Sequence, residues 1–450
     1  MKKKILTSIL LASCFGFSTT AAAEDIFEVL SQTYNTNPTL QAERAALRAT
    51  DENVAIAKSG YRPSVSLNGG YSEGKNDLKK GVGTEGKYDS LNGTANVSQP
   101  LFNGYSTVNS VKAADRAVKA AQNQLSNVEQ NILLEASSAY LDVLQNRAIV
   151  ELQKNNEDLL KKKLDETLSR FNVGEVTRTD VSQARARHSQ AISDSIAAEG
   201  NLESSMATYV ELIGSEPEEL SEPTKMKTFL PSSYDTALEV AMQNSYTIKQ
   251  AKNTYAAKGY EVYANTGGLW PSLSVDGSAG RSKTNRANAD TTVDNAEWGV
   301  NLSIPLYEGG STRAKIRQSK YQKWQAQEGV LEAKRAVKSA VRSAWENMKA
   351  NESQLSAIDE QIKANAIALE GVQKEEALGN RTILDVLDAY QELLNSKVND
   401  VKAKRNYYVS AMQLLASMGK MTAKDLGLNV ELYDAEKHYK ETRGKWFSLN

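Results

Sequence analysis

Residues with chemical potential are few in this chain. Histidine occurs twice, at His188 and His438, and the single cysteine is Cys14. A metal site or an activated nucleophile needs such groups to converge, and no spacing in the chain announces one. No P-loop and no glycine-rich dinucleotide fingerprint occurs either. The sequence therefore offers no catalytic, cofactor-binding or metal-binding residue, and the chain does not read as an enzyme. His188 reads as a solvated position on a helix, and His438 as part of the packing of the tail. The informative charges are two acids, Asp385 and Asp388, which lie three residues apart and share a helix face. Carboxylates gathered around an axis hold cations and disfavour anions, so several copies of this pair would make a selective constriction.

The elements that must position these acids are repeated. Phe171-Asn-Val-Gly-Glu-Val-Thr-Arg-Thr-Asp-Val181 is answered by Glu376-Ala-Leu-Gly-Asn-Arg-Thr-Ile-Leu-Asp-Val386. Gly174, Thr177, Asp180 and Val181 stand in register with Gly379, Thr382, Asp385 and Val386, about 205 positions apart. Glycine ends a helix by adopting a left-handed backbone. Thr177 with Asp180, and Thr382 with Asp385, then have the spacing of a capping box that starts the next helix. Each copy reads as the tip of a helical hairpin. Asp385 thus has a structural role available to it, whereas the counterpart of Asp388 is Gln183. Helix capping does not call for Asp388, and the plain alternative to a pore ring there is a solvated surface acid.

Composition limits the architecture. The formal net charge is -1, which argues against a basic nucleic-acid surface. An apolar content of 40% is lean for a compact globule and suits long solvated helices. Lys2, Lys3 and Lys4, the apolar run Ile5–Phe17 and the small residues Ala21-Ala22-Ala23 read as a signal peptide over 1–23, too short for a membrane span. Its removal takes three lysines and moves the net charge to about -4. Leu11-Ala12-Ser13-Cys14 also fits a lipoprotein cleavage box, which would lipidate Cys14 instead.

The mature chain reads as two structural repeats, 24–214 and 232–419, joined by a linker at 215–231 and followed by a tail at 420–450. Short amphipathic helices open the first repeat, with Asn37-Pro38 starting the second of them. Val65, Leu67, Gly69 and Tyr71 alternate with polar residues, as do Leu91, Gly93, Ala95 and Val97, giving a strand pair over about 61–101. A polar loop is expected between them at Ser72–Lys87. Val111, Val118, Leu125, Ile132 and Ala139 then fall at seven-residue steps, a coiled-coil seam that leads to the tip near 174. The helix would be roughly 100 Å long. The second repeat offers a short helix at Asn244–Tyr263, a strand pair over about 270–306 with a polar loop at Arg281–Asn295, and a tip near 379.

Strands of about ten residues with aromatic ends match a tilted membrane strand. Tyr61, Tyr71, Tyr88, Phe102, Trp270, Trp298 and Tyr307 supply those ends. A soluble four-stranded sheet with one wet face is the alternative. Four strands cannot close a barrel, and open edges are not viable in lipid. Two copies give eight strands with a filled interior, and three give twelve with room for a passage. The expected fold is an α+β membrane protein: a homotrimer sharing a twelve-stranded barrel, with long coiled-coil helices below it.

On both Pro-Leu-aromatic-x-Gly strand ends (Pro100–Gly104 and Pro305–Gly309), both tips and the tail, the sequence resembles the TolC family of outer-membrane channel proteins. The tail Leu432-Tyr-Asp…His438-Tyr…Arg443-Gly-Lys-Trp-Phe447 is similar to members associated with type I protein secretion. The resemblance implies an outer-membrane channel with a periplasmic tunnel and with the tail in its equatorial region. Its implied partners are a periplasmic adaptor and an inner-membrane transporter, either an ABC exporter or a proton-driven efflux pump. It also implies a gate of polar links between hairpins, at positions matching Thr179, Asp180 and Arg381, with Glu376 in place of the family's tyrosine. Glu376 is expected to pair with Arg381 and to repel Asp180, and Arg381 to bridge toward Thr179 and Asp180. The exposed turns at Val173, Gly174, Leu378 and Gly379 are either adaptor contacts or simple turn geometry. Against this export duct stand a structural trimeric coiled-coil surface protein and a soluble scaffold.

Overall fold

A computed structural model describes residues 24–76, 86–286 and 289–446. The signal segment 1–23 with Cys14, the centre of the first expected loop and Phe447 lie outside the described residues. The chain separates into two compact units. One comprises described residues up to Gln32 with Ala136–Met226 and Ile358–Arg405; the other comprises Thr33–Glu135, Lys227–Ala357 and Asn406–Asn450. Each unit draws on both repeats.

The helices follow their sequence signals. α1 (Ile26–Thr36) and α2 (Pro38–Ser59) are separated by Asn37, whose side chain takes the Leu40 N–H while Pro38 fills the first helical position. α3 (Ser106–Asn172) and α7 (Ser311–Ala377) are the long helices, and α4 (Arg178–Ile213) and α8 (Ile383–Ser417) return from the tips. Every seam residue from Val111 to Ala139 is buried. The short helix expected at Asn244–Tyr263 is α6 (Tyr246–Thr266), and a further helix, α5 (Tyr234–Asn244), precedes it. Ser245 breaks them: it leaves helical geometry and its side chain caps the Ile248 N–H. No helix among the described residues is long and apolar enough to cross a membrane.

The second unit carries a four-stranded antiparallel sheet in the order β1 (Ser64–Asn76), β2 (Gly86–Asn103), β3 (Ser272–Arg286) and β4 (Ala289–Ser303). The strands run well into both expected polar loops. Arg281 pairs with Asp294 in a bidentate ion pair at 2.6 and 2.8 Å, and Thr284 faces Thr291. Opposite charges and threonines across the ladder hold polar strands that apolar alternation alone does not reveal. One face of the sheet is apolar and bare: Val65 is 71% exposed, Leu67 82% and Trp298 81%. The other is polar, with Asp276 accepting from Ser98 at 2.5 Å and Ser274 at 2.7 Å, and Glu297 from Ser278 at 3.1 Å.

Below the sheet, the tail is clasped to α2 and the start of α3 through the short helix α9 (Lys437–Thr442). His438 Nδ1 lies 2.9 Å from Asp51 of α2, whose side chain is buried. Burial pushes the Asp51 carboxyl up from its usual range, against the opposing pull of His438. Tyr439 donates to Asp115 at 2.7 Å, and Arg443 reaches the other oxygen of Asp115 at 3.1 Å. Burial and then Asp115 push the Tyr439 phenol up to about 12. Arg62, just before β1, stacks on Trp446 at 4.7 Å. Asp115 is thus the shared acceptor of the clasp. Asp115→Ala is expected to weaken it by about 1–3 kcal/mol, the range for charge-assisted hydrogen bonds. Limited proteolysis of the folded protein should then cut after Asp434 at a concentration where the unsubstituted chain stays intact.

Candidate functional site: the hairpin tips

The site is built in the first unit, where two hairpins end. At the first tip Gly174 has φ 84 and donates to Phe171 O at 2.9 Å, while Glu175 N–H reaches Arg170 O at 2.9 Å. At the second, Gly379 has φ 78 and donates to Glu376 O at 2.8 Å, while Asn380 N–H reaches Glu375 O at 2.9 Å. Each helix end is thereby closed by the same left-handed turn. The next helices start from capping boxes. Asp180 accepts from Thr177 N at 2.8 Å and its own N–H reaches the Thr177 hydroxyl at 3.3 Å. Asp385 and Thr382 do the same at 2.9 and 3.2 Å. The Thr382 N–H, then its hydroxyl, hold the Asp385 carboxyl below the usual carboxylate range. The cap is therefore present above the ordinary carboxylate pKa and is lost only as pH falls through the lower, folded value.

Charge fastens one hairpin to the other. Arg170, on the last turn of α3, donates to Glu376 at 2.7 Å and to Glu175 of its own tip at 3.3 Å. Glu376 first, ahead of Glu175, raises the Arg170 guanidinium above its ordinary value. Arg187 of α4 meets Asp388 of α8 at 2.5 Å. Beneath these pairs Leu160, Ala184, Ala191 and Leu387 form a buried cluster joining α3, α4 and α8. Arg170–Glu376 is part-buried, whereas Arg187–Asp388 is exposed, and an exposed ion pair contributes at most about 1 kcal/mol. The hairpins are thus joined by two ion pairs above a buried apolar base.

The geometry departs from the sequence expectation at Glu376 and Arg381, and gives Asp388 a partner the sequence did not suggest. Glu376 pairs with Arg170, not with Arg381. Within the chain Arg381 is bound in its own turn, to Glu375 at 2.9 Å, and does not reach Thr179 or Asp180. Thr179 stays exposed. Asp388 is no bare acid, because Arg187 sits against it. The physical reason is proximity: Glu375 lies six residues from Arg381 on the same turn, while α3 delivers Arg170 to Glu376 across the hairpins. Sequence reasoning missed Arg170, Arg187 and Glu375. One signal was available, since Glu375 occupies the repeat position of Arg170, and each forms an ion pair within its own tip with the charges reversed. Val173 and Leu378 project at the turns, 73% and 78% exposed. Among the described residues no group of histidine, cysteine or acidic side chains could hold a metal ion.

Comparison with known proteins accounts for the doubled tip. The family described as outer membrane efflux protein matches residues 29–215 and again 237–420. Outer membrane efflux protein BepC of Brucella suis biovar 1 (strain 1330) is 36% identical over 450 residues, covering 100% of this chain and 97% of the relative. Outer membrane protein TolC of Escherichia coli (strain K12) is 27% identical, covering 94% and 88%. The crystal structure of the Campylobacter jejuni CmeC outer membrane channel matches with a TM-score of 0.77 at 17% identity, over 94% of this chain and 89% of that one. The repeat, the sheet and the paired tips are thus those of a known class, and the chain belongs to the outer membrane efflux protein family.

Proposed function

We propose that three copies of this chain form a passive exit duct across the outer membrane and periplasm. They share a twelve-stranded barrel in the membrane and a helical tunnel in the periplasm. The observation that carries this reading is the sheet: one apolar face bare to the outside, one polar face within, and two edges without partners. Such a sheet suits lipid on one side and a water-filled passage on the other, and it is complete only in an assembly. A structural surface trimer without transport is not favoured by the relatives, which are efflux and channel proteins. The duct works with a periplasmic adaptor and an inner-membrane transporter. The tail's resemblance to type I secretion members favours an ABC exporter, and the similarity to BepC, an outer membrane efflux protein, favours an efflux pump. Either would set the cargo, because the duct itself carries no chemistry.

The tips are the gate of this duct. In the closed state Arg170–Glu376 and Arg187–Asp388 hold the hairpins together, and opening separates both pairs. Asp388 is then released from Arg187 and joins Asp385 as an acidic ring that favours cations. Val173, Gly174, Leu378 and Gly379 present the surface that meets the adaptor.

Purified trimer in a planar bilayer tests the gate. Arg170→Ala with Arg187→Ala should raise open probability several-fold, whereas Arg381→Ala, which breaks only a link within one turn, should change it little. Unchanged conductance in the double variant would remove these pairs from the gate. In the Arg187→Ala background, Asp388→Asn should move the reversal potential under a salt gradient toward lower cation selectivity. Val173→Asp with Leu378→Asp should weaken capture of the adaptor while leaving conductance as it was.

A further inference from the structure

The two halves of the sheet are copies whose offsets can be read. Pro63-Ser opens β1 and Pro271-Ser opens β3, 208 positions later; Pro100-Leu and Pro305-Leu end the other two strands, 205 apart. The hairpins obey these offsets, since Ser64 pairs with Ser98 and Ser272 with Ser303. The turns obey them too. A Cβ on Gly60 would meet Thr107, and one on Gly268 would meet Thr312.

The copies part at one edge only. β2 continues to Asn103 alongside β3, with a bulge between Pro100 and Phe102. Its copy β4 stops at Ser303, and Ile304, Leu306 and Tyr307 stand 55, 90 and 85% exposed. Gly104 carries the same asymmetry. A Cβ there would come within 2.2 Å of Gly267 O, whereas its copy Gly309 has nothing within 4 Å. Yet the two glycines have φ of 62 and 61. The backbone of the second repeat is already shaped for a neighbour that this chain does not itself provide.

In the barrel proposed above, on which this inference rests, the neighbour is β1 of a second copy; we propose that the two strands pair in the register that β2 and β3 dictate. Ala95 faces Ala279 and Thr94 faces Gly280. Carried through the two offsets, Val300 faces Tyr71 of the partner subunit, and Gly299 faces Ser72 of the partner subunit. Leu302 then meets Gly69 of the partner subunit, large against small, as Trp298 meets Gly277 within the chain. The turn before the partner's β1 covers Gly309 as Gly267–Trp270 covers Gly104. Residues 304–307 join the ladder through a bulge at Pro305, a place where a missing N–H is tolerated. A slip of one residue would turn the apolar face inward, so only slips of two compete. Those would uncouple the strand register from the turn over Gly309.

Disulfide trapping reads the register directly, in a Cys14→Ser background and on trimers recognised separately on a gel. Val300→Cys with Tyr71→Cys, and Gly299→Cys with Ser72→Cys, are the matched designs. Being adjacent, they sample both kinds of antiparallel pair. Val300→Cys with Gly69→Cys, or with Glu73→Cys, are the designs slipped by two. Disulfides form over Cα separations of about 4.4–6.8 Å, and diagonal neighbours lie about 7–8 Å apart, so at least one matched pair should oxidise to covalent trimer roughly tenfold faster than either slipped pair. Faster trapping of a slipped pair would overturn the register. Silence of all four designs in assembled trimer would overturn the β4–β1 contact and with it the twelve-stranded barrel, whereas a slipped register would leave the barrel standing.

Discussion

The constraint on which this molecule turns is the satisfaction of backbone hydrogen bonds at the edges of a sheet. An apolar face of valine, leucine and tryptophan can rest in lipid. An edge row of N–H and C=O groups cannot, because nothing in a hydrocarbon layer replaces water as a partner. β1 and β4 each present such an edge. The chain is therefore one part of a closed object, and its topology requires it to assemble with other copies. The polar face, with Asp276 and Glu297 held by serines, becomes the wall of a passage only after closure.

The tips obey a different economy of forces. Their turns are firm: left-handed glycines and reciprocal threonine–aspartate caps satisfy the helix ends locally. The links between hairpins are two ion pairs, one part-buried and one exposed, over a buried apolar cluster. Such a design keeps each hairpin intact while letting the two move apart. Firm ends joined by separable links suit the gate proposed above, whose opening must leave the helices folded.

Much of this was legible in advance, and for identifiable reasons. The seam from Val111 to Ala139 is a strict seven-residue series, and each member is buried. Thr177 with Asp180 and Thr382 with Asp385 act over three residues, so their caps could be read from spacing alone. The strand cores alternate plainly. Their polar extensions do not, because Arg281 and Asp294 signal a strand only once they are known to face each other. The helix before Ser245 was missed for a similar reason: its cap, Ser233, is a lone serine that becomes a cap only when the backbone around it turns.

Local chemistry was thus decided by the sequence: which segments are helix or strand, where helices start and stop, and that the chain is doubled. These depend on periods of two, three and seven residues, which survive in a linear string. The partners of charged side chains were decided by the tertiary structure. Arg170 and Glu376 are 206 residues apart, and Arg187 and Asp388 are 201 apart. Nothing in the string selects those partners over nearer acids such as Asp180. Packing of α3, α4 and α8 on their common apolar cluster brings them within reach, and Coulomb attraction, which falls with distance, then acts on whatever packing has placed together.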